Sequence, residues 1–261
     1  MTPKEVIPGD VFILKVETDG AKTVEAEPRT VRYVAEFLGS KINLYQVKED
    51  HLLAIVPVDI DQKPGKYQIH ISDGEKRHKT EVVVRRHKFK TIKLTLPEAK
   101  VILSTEDQER ANREADMLDK IWPEMTPLVW NGRFSAPLAT EVSTGFGVRR
   151  VMNEKKTSVH RGMDFRGETG TPVKAINSGT VVLTGDLFFG GNTLIIDHGM
   201  GLYSVYMHLS KFNVSYGERV SREQVIGFVG STGRATGPHL HMGVKLLGVS
   251  VNPESLFKLE L

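Results

Sequence analysis

"GRATGPHLHMG", residues 233 to 243, sets His239 and His241 one residue apart directly after a turn rich in glycine and proline. In a strand, side chains at i and i+2 share one face, roughly 6 to 7 Å apart along the chain. That spacing suits two imidazoles serving one metal site, either both as ligands or one as ligand and one as catalytic base. An isolated His-x-His is more commonly a solvated strand feature, so the rest of the chain has to carry the weight.

The chain has 261 residues, enough for two modest domains or one large one. Its 39% hydrophobic and 26% charged residues describe an ordinary globular composition, and a net charge of +3 argues against a nucleic-acid partner. The absence of cysteine excludes thiolate metal sites, cysteine nucleophiles and disulfides together. No stretch approaches the roughly 20 apolar residues of a membrane span. The opening "MTPKEVIPGDVFILKV" lacks a basic segment followed by a long apolar core, so it does not read as a signal peptide. For an exported protein, Met1 would then follow a leader already removed.

Outward from the histidine pair, the pattern is β at both ends. Residues 6 to about 95 read as antiparallel strands: Phe12, Leu14 and Val16 alternate after a Pro8-Gly9 turn. Tyr67, Ile69 and Ile71 alternate into an Asp73-Gly74 turn, with Val82 and Val84 on the returning strand. This predicts a small β-sandwich of immunoglobulin-like type over residues 1–97. His51, His70, His78 and His87 lie in this region, and His70 and His78 fall at exposed strand positions. Residues 98–133 read as a linker with one amphipathic helix over 104 to 122. Thr105 and Gln108 form a candidate capping box, Ala111, Ala115, Leu118 and Trp122 make an apolar stripe, and Pro123 stops the helix.

From residue 134 to 261 the pattern is β again, without a βαβ rhythm, which predicts a mainly β, antiparallel core. Five of the nine histidines fall between residues 160 and 241. "HRGMDF" carries His160 and Asp164 in a loop entering a strand. "YMHLS" carries His208, in a segment whose alternation predicts Tyr206, His208 and Ser210 on one face. Zinc suits such a set, because it takes imidazole nitrogen and carboxylate oxygen and keeps three protein ligands in catalytic sites. Two histidines and one aspartate as ligands leave two histidines for acid–base work.

"HRGMDFRGETGTPVKAINSGTVV", "GNTLIIDHGMGLYSVYMHLS" and "GFVGSTGRATGPHLHMGV" resemble the lysostaphin/LytM-type zinc metallopeptidases that cut peptidoglycan peptides, in the family's order, from about Phe134 to Phe257. The resemblance implies one Zn²⁺ per chain held by His160, Asp164 and His241, with His208 and His239 as the catalytic histidines. It implies peptidoglycan peptides as partner and a periplasmic or cell-envelope location; "GDVFILKV" and "FGVRR" resemble envelope members from Gram-negative bacteria. One departure is that lysostaphin-like members carry an oxyanion-supporting tyrosine shortly before the first ligand, where this chain reads "VMNEKKTSVH". Some relatives have lost ligands and only activate other hydrolases, so a non-catalytic wall-binding or activator protein is the alternative. A biotinyl or lipoyl carrier is a further rival, but Lys174 lacks the setting of a modified lysine. His198 reads as a turn histidine bonded to backbone, Asn112 as a solvent-facing helix residue, and Arg149 or Arg150 as either a substrate-carboxylate contact or an exposed basic turn.

Overall fold

The computed structural model describes residues 5–17, 33–48, 51–73, 76–95 and 102–260. The fold is mainly β with antiparallel sheets, as expected, and divides into two compact units, Met1–His87 and Lys88–Leu261.

The front unit holds β1 (Glu5–Val6), β2 (Val11–Glu17), β3 (Val34–Phe37) and β4 (Ser40–Asn43). It continues with β5 (Tyr45–Lys48), β6 (His51–Pro57), β7 (Gly65–Ser72) and β8 (Arg77–Val84). Two sheets result, ordered β1-β8-β7-β3-β4 and β2-β6-β5, with β1 and β8 parallel. The immunoglobulin-like comparison stays a proposal. The β7/β8 hairpin pairs antiparallel with Tyr67 opposite Val82, as the alternation predicts, while Gly74 of the expected turn lies outside the described residues. Strict alternation fails in β2: Val11, Phe12, Ile13 and Leu14 are all buried. A strand covered on both faces loses the in–out pattern and reads as a continuous apolar run. His70 and His78 are exposed.

The second unit begins with β9 (Thr91–Leu94), α1 (Thr105–Asp119), β10 (Val142–Thr144), β11 (Arg149–Met152) and β12 (Lys156–Val159). Then come β13 (Met163–Arg166), β14 (Pro172–Lys174), β15 (Gly179–Leu187), β16 (Gly191–Asp197) and β17 (Leu202–Phe212). It closes with β18 (Arg219–Val220), β19 (Val225–Val229), β20 (His239–Leu246), β21 (Val249–Val251) and α2 (Pro253–Phe257). The main sheet runs β10-β13-β20-β17-β16-β15-β18, with β14–β19 joined through β17 and β21 on β20. A smaller sheet, β12-β11-β9, recruits residues upstream of the helix. Lys174 sits in β14 paired to β19, not at a hairpin tip.

The expected linker segment 102–133 falls in this second unit. Ser104, not Thr105, caps α1: its hydroxyl accepts from the Asp107 N–H at 3.1 Å, and Gln108 instead bonds Asn112 at 2.8 Å. Ser104 has the extended backbone (φ −63°, ψ 162°) that a capping residue needs, whereas Thr105 is already the first residue of the helix. Trp122, just past the helix, is buried with Leu183, Leu187, Ile195, Tyr203 and Val205, and Leu118 and Ile121 pack against this cluster. Of the predicted stripe, Ala111 and Trp122 are buried, Leu118 is half-buried and Ala115 is exposed.

Candidate metal and acid–base site

Asp164 on β13 lies directly opposite His241 on β20, and Arg166 lies opposite His239. Paired residues of antiparallel strands point to the same face, so this register brings the aspartate and both histidines of the HLH motif together. His160 precedes β13 and is tied to the turn before β11: its N–H donates to the Val148 carbonyl at 2.9 Å, and Gly147 N–H donates back at 2.8 Å. The His160 Nδ1–H donates to the Gly145 carbonyl at 2.8 Å, which leaves Nε2 aimed inward.

Three atoms converge. His160 Nε2 and Asp164 Oδ1 are 2.9 Å apart, His160 Nε2 and His241 Nδ1 3.0 Å, and His241 Nδ1 and Asp164 Oδ1 2.8 Å. Among the described residues, His160, Asp164 and His241 are the His/Cys/Asp/Glu group close enough to hold one metal ion. The donor set fits a cation: with His160 Nδ1 committed to a carbonyl, two imidazole nitrogens and a carboxylate share one point with too few protons to satisfy them. Bound to zinc at about 2.0–2.1 Å in tetrahedral geometry, such ligand atoms would sit about 3.4 Å apart, a small expansion of this triangle. Burial pushes the Asp164 carboxyl upward, but hydrogen bonds to His160 and His241 outweigh it and hold the group well below the usual carboxylate range. Burial lowers the His241 imidazole, opposed by its bond to Asp164. Both groups are thereby kept in the state a metal ligand needs.

Of Arg149 and Arg150, which the sequence left undecided, Arg150 reaches the site. Its Nη2 donates to Asp164 Oδ2 at 3.1 Å, so each oxygen of the carboxylate has its own task. An arginine fork can neutralise and orient a carboxylate but has no lone pair for a metal. Arginine within the turn-and-strand "FGVRR" was the visible signal; its partner was not.

His208 arrives by a route that period-two reasoning misses. Met207, not His208, pairs with His241 in register, and alternation would turn the His208 ring to the opposite face. The register of β16 on β17 slips between Asn192/Leu209 and Leu194/Tyr206, and His208 has φ +64°. This bulge reverses the alternation, so the expectation that Tyr206 and His208 share a face is corrected. Tyr206 points into the core, bonded to Ser204 and the Ile176 N–H, whereas His208 joins the site. Bulges that re-aim a side chain are common beside active sites. The His208 ring lies 4.7 Å from His239 and 6.2 Å from His241, centroid to centroid. Its Nδ1–H donates to the Thr232 carbonyl at 2.9 Å. Burial pushes this imidazole down to about 4, the Thr232 carbonyl opposes the shift, and His239 and His241 add to it. His239 is held by the same device, Nδ1–H to the Gly237 carbonyl at 2.8 Å, with Nε2 4.0 Å from Asp164 Oδ1.

The bulge needs glycine nearby. A Cβ on Gly191, φ +58°, would lie 2.3 Å from the Thr232 carbonyl carbon, and one on Gly233 would lie 2.2 Å from Gly191 N. The loop bearing Thr232 therefore rests directly on the turn after β15. Away from the site, His198 is fully buried, with Nδ1 on the Ser178 carbonyl and Nε2 on Ser204 Oγ, both at 2.7 Å. Asn112 is exposed on α1.

The buried His160, Asp164 and His241 cluster beside two imidazoles is a donor set that suits a metal ion with proton-transfer groups next to it. Residues 158–253 match Peptidase family M23, a span containing all five site residues. The DD-carboxypeptidase/endopeptidase Mpg of Neisseria meningitidis is 41% identical over 117 residues, 45% of this chain and 27% of that protein. The peptidoglycan DD-endopeptidase ShyA of Vibrio cholerae is 40% identical over 121 residues, 46% of this chain and 28% of that protein. The chain thus matches little more than a quarter of the length of these relatives. A crystal structure of a peptidase M23 from Pseudomonas aeruginosa superposes with a TM-score of 0.71 at 28% identity, covering 96% of this chain and 94% of that one.

Proposed function

We infer that the chain is a zinc-dependent endopeptidase that hydrolyses peptide cross-links or stems of peptidoglycan in the periplasm or cell envelope. The observation that carries this reading is the meeting of His160 Nε2, Asp164 Oδ1 and His241 Nδ1 within 3.0 Å of one another, beside two imidazoles whose Nδ1 atoms are each tied to a backbone carbonyl. His160, Asp164 and His241 would hold the zinc; when bound, it polarises the scissile carbonyl and acidifies the attacking water. His239 and His208 do the proton work. Each has its Nδ1 proton committed to a carbonyl, so each presents Nε2 as an acceptor while neutral. His239 Nε2, beside the ligand carboxylate, takes the proton of the attacking water and returns it to the leaving amine. The His208 ring, beside His239, lines the place where the oxyanion develops; burial keeps it neutral at pH 7, so it becomes a donor only by sharing that proton. The stretch just before His160, "VMNEKKTSVH", holds no tyrosine, which leaves more of the oxyanion support to these two rings and the metal. The similarity to a peptidoglycan DD-endopeptidase supports a D-alanyl–diaminopimelate cross-link as the bond this chain would cut in a Gram-negative wall.

Metal analysis of five alanine variants, with mass spectrometry of muropeptides released from purified sacculi, tests the reading. His160→Ala, Asp164→Ala and His241→Ala should lose zinc and activity together. His208→Ala and His239→Ala should keep about one zinc per chain and lose roughly 10²- to 10⁴-fold in rate. Zinc retained in all five would refute the site. Full zinc with no released fragment from the unmodified chain would point instead to a wall-binding or activator protein.

A further inference from the structure

We propose that Glu114 of α1 is a positioning residue for His208, which makes the helix part of the catalytic scaffold. The proposal rests on the role given to His208 above. Glu114 Oε2 accepts from the Phe188 backbone N–H at 2.7 Å. Its other oxygen, Oε1, accepts from Arg110 Nε at 2.7 Å. Arg110 Nη2 in turn donates to both the carbonyl and the Oδ2 of Asp186, each at 3.2 Å. One Arg-Glu pair therefore grips the end of β15 at residues 186 and 188.

That turn is the support under His208. The Gly190 carbonyl, two residues on from Phe188, accepts the His208 backbone N–H at 2.7 Å. The Phe189 carbonyl accepts from Arg234 N–H at 3.1 Å and so ties the 230–234 loop to the same turn. The loop then supplies the Thr232 carbonyl that fixes the His208 ring. Backbone and ring of His208 are thus held from two sides by segments meeting at residues 188–190. A residue at φ +64° relies on such surroundings, because a non-glycine backbone in that region relaxes when its contacts loosen. Glu114 is 18% exposed in its side chain, which protects the bond to Phe188 N–H from competing water. The zinc-ligand candidates stand on β13, β20 and the turn before β13, so they do not depend on this grip.

The test compares Glu114→Ala, Glu114→Gln and His208→Ala in the full chain, on a cross-linked muropeptide. Glu114→Ala should lower kcat by about 10- to 100-fold, the range expected for a catalytic group displaced by about 1 Å. KM should stay within about twofold and zinc at the wild-type level. Glu114→Gln keeps an acceptor for Phe188 N–H and should recover most of the rate. Imidazole nitrogen NMR should find His208 as one tautomer in the wild type and as a mixture in Glu114→Ala. An unchanged kcat, a loss that follows zinc, or an unaltered His208 tautomer overturns the proposal. If Glu114→Ala does not fold, Arg110→Ala removes the Asp186 arm while sparing the Phe188 bond, and kcat must still fall with zinc retained. His208→Ala separates the two levels. If it keeps the wild-type rate, the role of His208 is wrong; if it is inactive while Glu114→Ala is fully active, only this inference fails.

Discussion

His198 should make the second unit acid-labile in a measurable way. Its imidazole is fully buried, and both ring nitrogens are engaged by the Ser178 carbonyl and Ser204 Oγ. Burial pushes it from 6.5 down to about 4, opposed by the Ser178 carbonyl. Because the native value is depressed, the unfolded chain takes up the proton first as pH falls. Stability is therefore full above pH 6.5, declines between about 6.5 and 4, and levels off below. That difference in pKa corresponds to about 3 kcal/mol at 1.36 kcal/mol per pH unit. Both tryptophans of the chain, Trp122 and Trp130, are buried in the second unit, so urea unfolding followed by tryptophan fluorescence reports on that unit. The comparison is wild type against His198→Gln and His198→Phe, each at pH 7 and pH 4. His208 titrates in the same window and cancels in the difference. Both variants start less stable, because removing a buried hydrogen-bond partner costs about 1–3 kcal/mol. Their loss between pH 7 and pH 4 should nevertheless be about 3 kcal/mol smaller than that of the wild type. Equal losses in all three proteins would show that His198 is not held neutral by burial.

Gly162 has no conformational need for glycine, but a Cβ there would lie 2.6 Å from the Met242 carbonyl oxygen and 2.7 Å from His241 Nε2. Gly162→Ala should weaken zinc binding by about tenfold or more, as displacement of a ligand's surroundings does, and chelator competition reads this directly; unchanged affinity would mean β20 gives way without cost. We also propose that the two units are separable near residue 88. Residues 88–261 should then fold and bind zinc, whereas residues 130–261, lacking α1, β9 and Trp122, should be less stable by at least the roughly 3–5 kcal/mol of one buried tryptophan. Equal urea midpoints for the two pieces would show that the helix contributes nothing.

The sequence by itself carried the residue types, and hence the chemistry: five His and Asp side chains in three motifs, a β pattern at both ends, and one helix between. His239 and His241 were legible because their relation is local, set by a two-residue repeat that holds wherever a strand is straight. Tertiary structure decided the rest. Whether His208 faces the site depends on a bulge, and the bulge depends on Gly191 and Gly233 packing at a distance no local pattern encodes. The partner of Arg150 was hidden because β11 reaches Asp164 through a separate three-stranded sheet that begins with β9, upstream of α1. The helix read as a linker because amphipathicity reveals that a face is buried, not what covers it. Its docking beside Phe188, and with it the support of His208, exists only once segments more than seventy residues apart have met.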